Sequence, residues 1–525
     1  MSPSLRALSP RGTWILLGLS TALVLFRLGS LPLLGPDEPR YARVAVEMAR
    51  SGDFVTPTLQ GQPWLEKPVL FYWLAACAYR VLGENELAAR LPSLFALLLL
   101  VGSTALFGAR LASGAAGLHA GFVLATSLLA FAYGHAASMD MLLAATVSAG
   151  VGLIGLRLLG IAGKLAVPVG CAFLGLATLA KGPIGFLLPG LVVAGFLLAT
   201  RDRSLLRPVL SPWGLLLFVL TAGPWYAATS LAQGPAFVDV FLLNHNLARF
   251  TSTVHNHPGS IAYYLPVLVG GLFPWSGLLV PALGTLRPRQ SRTDLFLLLW
   301  LLLPLVFFSL AGSKLPGYIL PCLPPLAILM GRAIDRLLKQ DALLAVGAWL
   351  RATALVGLVL GALLVTGPFV LWRRGDPHWP LVVPTCAWAL LITYTFARRV
   401  GANAVGAFRL LRVGAAGLLL LLASAAPTVL AYRESGRTLF LPAAGREVLA
   451  WGAWRTAWMA GYFYNDGKVR PVETITEVTQ ALARGPVLVL CGPGERRQLE
   501  RLPSVKTLTL AEGPRGNALL KVAER

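Results

Sequence analysis

Six short stretches of this sequence gather acids, bases and aromatic rings at a density that the rest of the chain lacks. Gly35-Pro36-Asp37-Glu38-Pro39-Arg40-Tyr41 sets two carboxylates beside a guanidinium and a phenol. Trp64-Leu65-Glu66-Lys67-Pro68 again sets an acid next to a cation, close to an indole. Asp140 stands in Ser138-Met139-Asp140-Met141, Lys181 in Ala180-Lys181-Gly182-Pro183, and Lys314 with Tyr318 in Ser313-Lys314-Leu315-Pro316-Gly317-Tyr318. The stretch 232–261 adds His245, Arg249, His255 and His257. Lysines and arginines suit a phosphate leaving group, which they hold by charge-assisted hydrogen bonds. Carboxylates suit deprotonation of an attacking hydroxyl, stabilisation of an oxocarbenium-like centre, or binding of a metal or an amine. Trp64, Tyr41 and Tyr318 could stack on a sugar or line an acyl channel. A single lysine at the end of a membrane span usually snorkels to the headgroups, so no one residue carries the reading. Asp140 is the hardest to dismiss, because an acid at the mouth of an apolar helix is costly and usually faces a cavity or a partner. The set as a whole fits glycosyl transfer from a lipid phosphate carrier. A nucleotide donor does not fit, since the Gly492-Pro493-Gly494 turn lacks the Lys-Ser/Thr of a phosphate loop.

What must position these residues is a membrane bundle. Of 525 residues, 56% are hydrophobic and only 13% charged, against about 25% charged in soluble domains. Such a chain cannot solvate its own surface. The net charge of +22 is spread in small groups between apolar runs, such as Arg201, Arg203 and Arg207, or Arg287, Arg289 and Arg292. That is the pattern of cytoplasmic loops and not of a clustered nucleic-acid footprint. The five cysteines are scattered without CxxC spacing, which argues against a disulfide framework or a zinc-thiolate site. No small-residue cleavage site follows the first apolar run, so it reads as a retained span.

Crossing the bilayer takes about 20 helical residues. Spans are expected around 13–32, 90–109, 116–134, 139–160, 165–180, 183–200, 213–231, 262–285, 294–312, 317–334, 345–371, 380–397 and 408–430. The aromatic run 68–83 is the ambiguous one. Taking it as an interfacial helix puts nearly all basic loops on the side of Arg6 and Arg11, as the positive-inside rule asks. The expected fold class is therefore a polytopic all-α membrane protein of about thirteen spans, with a cytoplasmic N-terminus. Residues 1–432 form the membrane domain, with outer loops at 35–88 and 232–261, and 433–525 form a small extracytoplasmic α/β domain. Within it, 475–482 reads as an amphipathic helix, 486–491, 505–510 and 518–522 as strands, and 492–494 as a turn. With this topology all six stretches meet on the outer side. Arg43, Glu47 and Arg50 read as the solvated face of a helix.

At these residues the sequence resembles the bacterial aminoarabinose (lipid A) transferases, relatives of the protein O-mannosyltransferases in the GT-C class. Asp37-Glu38-Pro39-Arg40-Tyr41-Ala42, Ser51-Gly52-Asp53, Glu66-Lys67-Pro68, Lys181-Gly182, Arg249-Phe250, Tyr263-Tyr264-Leu265-Pro266 and Lys314-Leu315-Pro316-Gly317-Tyr318 follow in the family's order over roughly 13–335. The resemblance implies a GT-C fold, an undecaprenyl-phosphate-linked donor, inversion at the anomeric carbon and a periplasmic active site in the inner membrane. It implies donor-phosphate contacts from Arg40, Tyr41, Lys67, Arg249 and Tyr318, with Lys181 and Lys314 as further cations. Asp37 is implied next to the acceptor or sugar, with Glu66 and Asp140 in support. A divalent metal in some members would here call on Glu66, His245 and His257. The family often has His three residues before the Arg-Phe pair, where this chain has Asn246 with His245 beside it, and that departure weakens the metal reading. Expected partners are the lipid-linked donor, lipid A or another envelope glycan, and membrane lipids, with the protein acting as a monomer. Two rival readings remain. One is transfer to a protein or polysaccharide hydroxyl. The other is a lipid-linked-sugar flippase, which should carry its charges near the midplane.

Overall fold

A computed structural model describes residues 8–237, 259–339 and 404–525. The expected spans 345–371 and 380–397, and the residues His245, Asn246, Arg249, His255 and His257, lie outside the described residues. The chain starts with α1 (Pro10–Leu25), capped by Ser9, whose hydroxyl accepts from the Gly12 amide. Next come α2 (Asp37–Ser51), a two-strand turn (β1, Thr58–Leu59; β2, Gln62–Pro63) and α3 (Leu70–Leu82). The bundle continues with α4 (Glu86–Leu111), α5 (Gly114–Ala125), α6 (Leu128–Gly134), α7 (Met139–Leu158), α8 (Ala166–Lys181), α9 (Ile184–Thr200) and α10 (Pro212–Gln233). After the gap come α11 (Tyr264–Gly271), α12 (Leu279–Leu283), α13 (Arg292–Leu310), α14 (Leu323–Lys339) and α15 (Ala404–Glu434). Among the described residues five helices are long and apolar enough to cross a membrane, or up to seven if each bent pair is one span. This is a membrane protein.

Two expected spans are not straight. The stretch 116–134 bends by 62° between α5 and α6, and 262–285 bends by 116° between α11 and α12. The second still crosses from one end of the bundle to the other. Just before it, Gly259 packs against the Lys314 stem beyond the end of α13, and just after it the Arg287 amide donates to Asp294 at the start of α13. Glycine allows close approach in the middle of the bundle. A Cβ at Gly117 would meet the Ala105 carbonyl at 2.3 Å, and one at Gly331 would meet the Ala116 carbonyl at 2.3 Å, so α4, α5 and α14 touch backbone to backbone.

The run 68–83 forms the 13-residue α3, too short to span a bilayer of ordinary thickness. It packs parallel to α2, with Tyr41 against Phe71 and Tyr72 at one end and Arg80 on the Ala49 carbonyl at the other, and the pair is fastened to the bundle. The Trp73 indole donates to the Phe54 carbonyl at 2.8 Å, and the Trp225 indole of α10 donates to the Val55 carbonyl at 2.9 Å.

The C-terminal part is a five-stranded mixed sheet in the order β4-β3-β5-β7-β6, made of β3 (Val448–Trp451), β4 (Val469–Val472), β5 (Val487–Cys491), β6 (Val505–Glu512) and β7 (Ala518–Glu524). β3 pairs parallel with β4 and β5, and β7 pairs antiparallel with β5 and β6. Helices α16 (Arg455–Met459) and α17 (Gly461–Tyr464) cross from β3 to β4; α18 (Ile475–Leu482) crosses from β4 to β5, and α19 (Pro493–Glu500) follows β5. Residues 492–494, expected as a turn, instead open α19, because Pro493 sits at the first helical position, where its missing N–H costs nothing. The sheet buries both faces by alternation. Val448, Ala450, Leu488 and Leu490 join the main core, while Leu449, Trp451, Val489 and Cys491 join a second core under α18 and α19. One face of the sheet thus shares a core with the membrane body.

Candidate active site

Two clusters at the same end of the bundle hold the expected site residues among the described ones. The first lies on α2 and its turn. Asp37 and Glu38 occupy the first helical turn, where the helix dipole favours negative charge. One turn on, Arg40 ion-pairs with Asp37, and its guanidinium lies 5.4 Å from the Trp64 ring centroid. Burial pulls the Arg40 pKa down, but the charge of Asp37, followed by Tyr41 and Glu66, holds it above the ordinary value. Tyr41 sits edge-on to Phe71 and Tyr72, with centroids at 6.2 and 6.4 Å. Loss of solvent raises its phenol well above the ordinary value, and the carboxylates of Asp37 and, more weakly, Asp140 add to this. At neutral pH Tyr41 is a hydrogen-bond donor. Glu66 and Lys67 are half-buried in the loop that enters α3.

The second cluster is built from helix ends. Asp140 lies in the first turn of α7, its amide bonded to the capping Ser138 hydroxyl at 3.2 Å. Lys181 closes α8, at the end where the dipole favours a cation. The two form an ion pair, and the Lys181 ammonium also lies 4.4 Å from the Tyr318 ring centroid. Gly317 is required beside it, since a Cβ there would stand 2.5 Å from the Tyr133 ring. Lys314 is buried and donates to the Ala311 carbonyl at 2.6 Å. Its ammonium serves the backbone of its own turn in this structure.

The clusters are tied together by a pair whose roles were not legible in advance. Arg90 on α4 is fully buried and bonds Glu38 at 2.8 Å. It also donates to the carbonyls of Leu28, at 3.0 Å, Pro32, at 2.8 Å, and Leu31. Glu38 in turn accepts from the amides of Leu34 and Ala137, each at 2.7 Å. One carboxylate therefore holds the start of α2, which carries Asp37 and Arg40, against the strand of backbone leading to Asp140. An arginine in the apolar run 90–109 was the available signal, because a charge there requires a partner.

The helix face of Arg43, Glu47 and Arg50 is not simply solvated, as its amphipathic spacing suggests. Arg43 and Arg50 bond Asp466 of the C-terminal part at 2.6 and 2.7 Å, and Glu47 binds Arg43 and the β1–β2 turn. As for a metal, no three His, Cys, Asp or Glu side chains gather in a ligating arrangement among the described residues. Of the expected set only Glu66 is described.

The profile of the dolichyl-phosphate-mannose-protein mannosyltransferase family matches residues 66–227, from Glu66 through Asp140 and Lys181 to α10. The undecaprenyl phosphate-alpha-4-amino-4-deoxy-L-arabinose arabinosyl transferase 2 of Pseudomonas fluorescens is 32% identical over 78% of this chain and 74% of its own length. The chain belongs to this arabinosyl transferase family. The Aeromonas hydrophila member is 33% identical over 66% of this chain, and the alignment spans 64% of that relative, just under two thirds. A crystal structure of ArnT from Cupriavidus metallidurans bound to undecaprenyl phosphate superposes with a TM-score of 0.80 at 24% identity, covering 98% of each chain. The likeness in fold, GT-C with a small C-terminal sheet domain, covers 98% of this chain.

Proposed function

We propose that this chain is an inverting glycosyltransferase that moves 4-amino-4-deoxy-L-arabinose, or a related sugar, from undecaprenyl phosphate to a phosphate of lipid A. It would act at the periplasmic face of the inner membrane as a thirteen-span monomer, with its C-terminal domain periplasmic. The observation that carries this reading is the matched pair of half-buried ion pairs, Arg40 with Asp37 and Lys181 with Asp140, at one end of the bundle on the family's own motifs.

The chemistry follows from what a phosphate would do to those pairs. Arg40 and Lys181 are neutralised by carboxylates in reach, and an incoming donor phosphate competes for the same cations. Tyr41 on α2, Lys67 in the loop before α3 and Tyr318 beside Lys181 add contacts, and the Arg249-Phe250 motif supports counting Arg249 with them. Cations drawn to phosphate leave Asp37 facing the sugar. As the bond from the anomeric carbon to the phosphate oxygen breaks, the acceptor oxygen attacks from the opposite face, and the configuration inverts. Arg40, Lys67 and Lys181 hold the charge growing on the departing undecaprenyl phosphate. Asp37, with Glu66 and Asp140, stabilises positive charge at the anomeric carbon or binds the sugar's ammonium. A phosphate acceptor is already anionic and needs no base, whereas a hydroxyl acceptor would make Asp37 the base. The surplus of outer cations over one donor phosphate favours a second anion. A metal held by Glu66, His245 and His257 is not required by any of these steps. Mass spectrometry of lipid A from a deletion strain tests the reading. Loss of an aminopentose substituent is expected, and unchanged lipid A with a lost modification on a protein or polysaccharide would replace the acceptor.

A further inference from the structure

The C-terminal sheet domain reaches the mouth of this site through one short helical segment. α16 and α17 form a nearly continuous helical stretch of almost three turns, since Ala460 between them keeps helical dihedrals. The segment is held firmly against α2. Asp466, just past α17, bonds Arg43 and Arg50. Gln60 donates to the carbonyls of Gly467 and Val469 at 2.6 and 2.8 Å. The Tyr464 hydroxyl accepts from the Leu33 amide at 2.7 Å and donates to Glu86 at 3.1 Å. Arg40 stands one turn before Arg43 on α2, and α17, which carries Tyr462, packs directly against α2. Tyr462 therefore stands near the Arg40 cluster. The electrostatics agree: burial raises the Tyr462 phenol, while the charges of Arg40 and Arg455 oppose the rise.

Arg455, Trp458 and Tyr462 fall at helical spacing on one face. Trp458 is half-buried, with its ring edge-on to Tyr462 at 5.7 Å between centroids. Arg455 is exposed, and among the described residues no carboxylate pairs with it. An exposed guanidinium and a half-buried indole, in a row backed by the buried Tyr462 ring, are suited to a phosphorylated sugar: the cation takes the phosphate and the indole takes the sugar face.

We infer that the Arg455–Trp458–Tyr462 face of the C-terminal domain is the contact for the acceptor's phosphorylated sugar headgroup, placed beside Arg40 by the Asp466 clamp. This assignment rests on lipid A being the acceptor, and it gives the C-terminal domain a part in substrate choice. Initial rates of the purified full-length enzyme, with lipid A and donor varied separately, test it. Arg455→Gln and Trp458→Ala should each raise the KM for lipid A about tenfold, the loss expected for one charge-assisted contact, and leave the KM for donor where it was. Arg455→Lys should recover part of the loss, and Arg455→Glu should exceed it. An unchanged lipid A KM in both Arg455→Gln and Trp458→Ala would overturn the assignment, as would an equal rise in both KM values, which marks a general distortion. Wild-type enzyme that ignores lipid A would sink the acceptor reading itself, and this assignment with it.

Discussion

Asp37 is only half-covered while its partner Arg40 is largely buried, and that asymmetry sorts their roles. The buried cation is a fixed anchor for anion, and the accessible carboxylate is the group that can turn to a substrate. Asp37→Asn keeps size and most hydrogen bonding but removes the charge. Turnover should fall about 10²- to 10⁴-fold with donor binding retained, measured with labelled donor and purified protein; near-normal turnover would remove Asp37 from the chemistry. Lys181→Met should act on binding, because Lys181 is the cation of the second cluster. Loss of a charge-assisted contact costs roughly 1.5–3 kcal/mol, so undecaprenyl phosphate should bind about 10- to 150-fold more weakly. Unaltered binding by equilibrium titration would move the phosphate to Lys67 and Arg249. Lys314 differs from the other cations, since its ammonium is committed to the Ala311 carbonyl. Its substitution should disturb the turn that presents Tyr318 more than it disturbs anion binding.

At the scale of elements, the buried Arg90–Glu38 pair decides whether the two clusters face each other. Removing one partner of such a pair strands the other charge, typically at a cost of 3–5 kcal/mol. Glu38→Gln should therefore lower the thermal midpoint of the detergent-solubilised protein markedly, while Arg90→Met with Glu38→Gln together should recover part of it. An unshifted midpoint for Glu38→Gln alone would show that the pair does not hold α2 in place. Much of this layer was readable from sequence: the apolar runs among the described residues became helices, the 68–83 run became α3, and the stretch 475–482 became α18. What escaped were features set by contacts between distant segments. Glu38 was visible as an acid, but its partner lies 52 residues away on another helix. Strands β3 and β4 are four residues each, too short to show a period of two. The breaks at α5–α6 and α11–α12 fall inside runs whose hydropathy is uninterrupted, so composition alone extends them straight.

The whole molecule depends on the C-terminal domain staying seated on α2. Burial raises the Asp466 carboxyl, but hydrogen bonds from Arg43 and Arg50 outweigh this and hold its pKa below the ordinary value. A depressed carboxylate stabilises the docked form above its unfolded pKa, about 3.9, and that contribution is lost as pH falls through the lower folded value. Hydrogen exchange at the 461–467 backbone should thus be slow at neutral pH and accelerate in Asp466→Asn at all pH values above about 4. Equal exchange in both proteins at pH 7 would separate the clamp from docking. Orientation is tested independently. An impermeant thiol reagent on spheroplasts should label a cysteine placed at 515 and not one at 203; the reverse would reject the thirteen-span topology. The central claim is the transfer itself. The direct measurement incubates purified protein and undecaprenyl-phosphate-linked aminoarabinose with lipid A, either intact or stripped of its phosphates. Sugar on intact lipid A alone is the outcome this account predicts. Equal transfer to both would mean a hydroxyl acceptor with Asp37 as base, and no transfer to either would contradict the account.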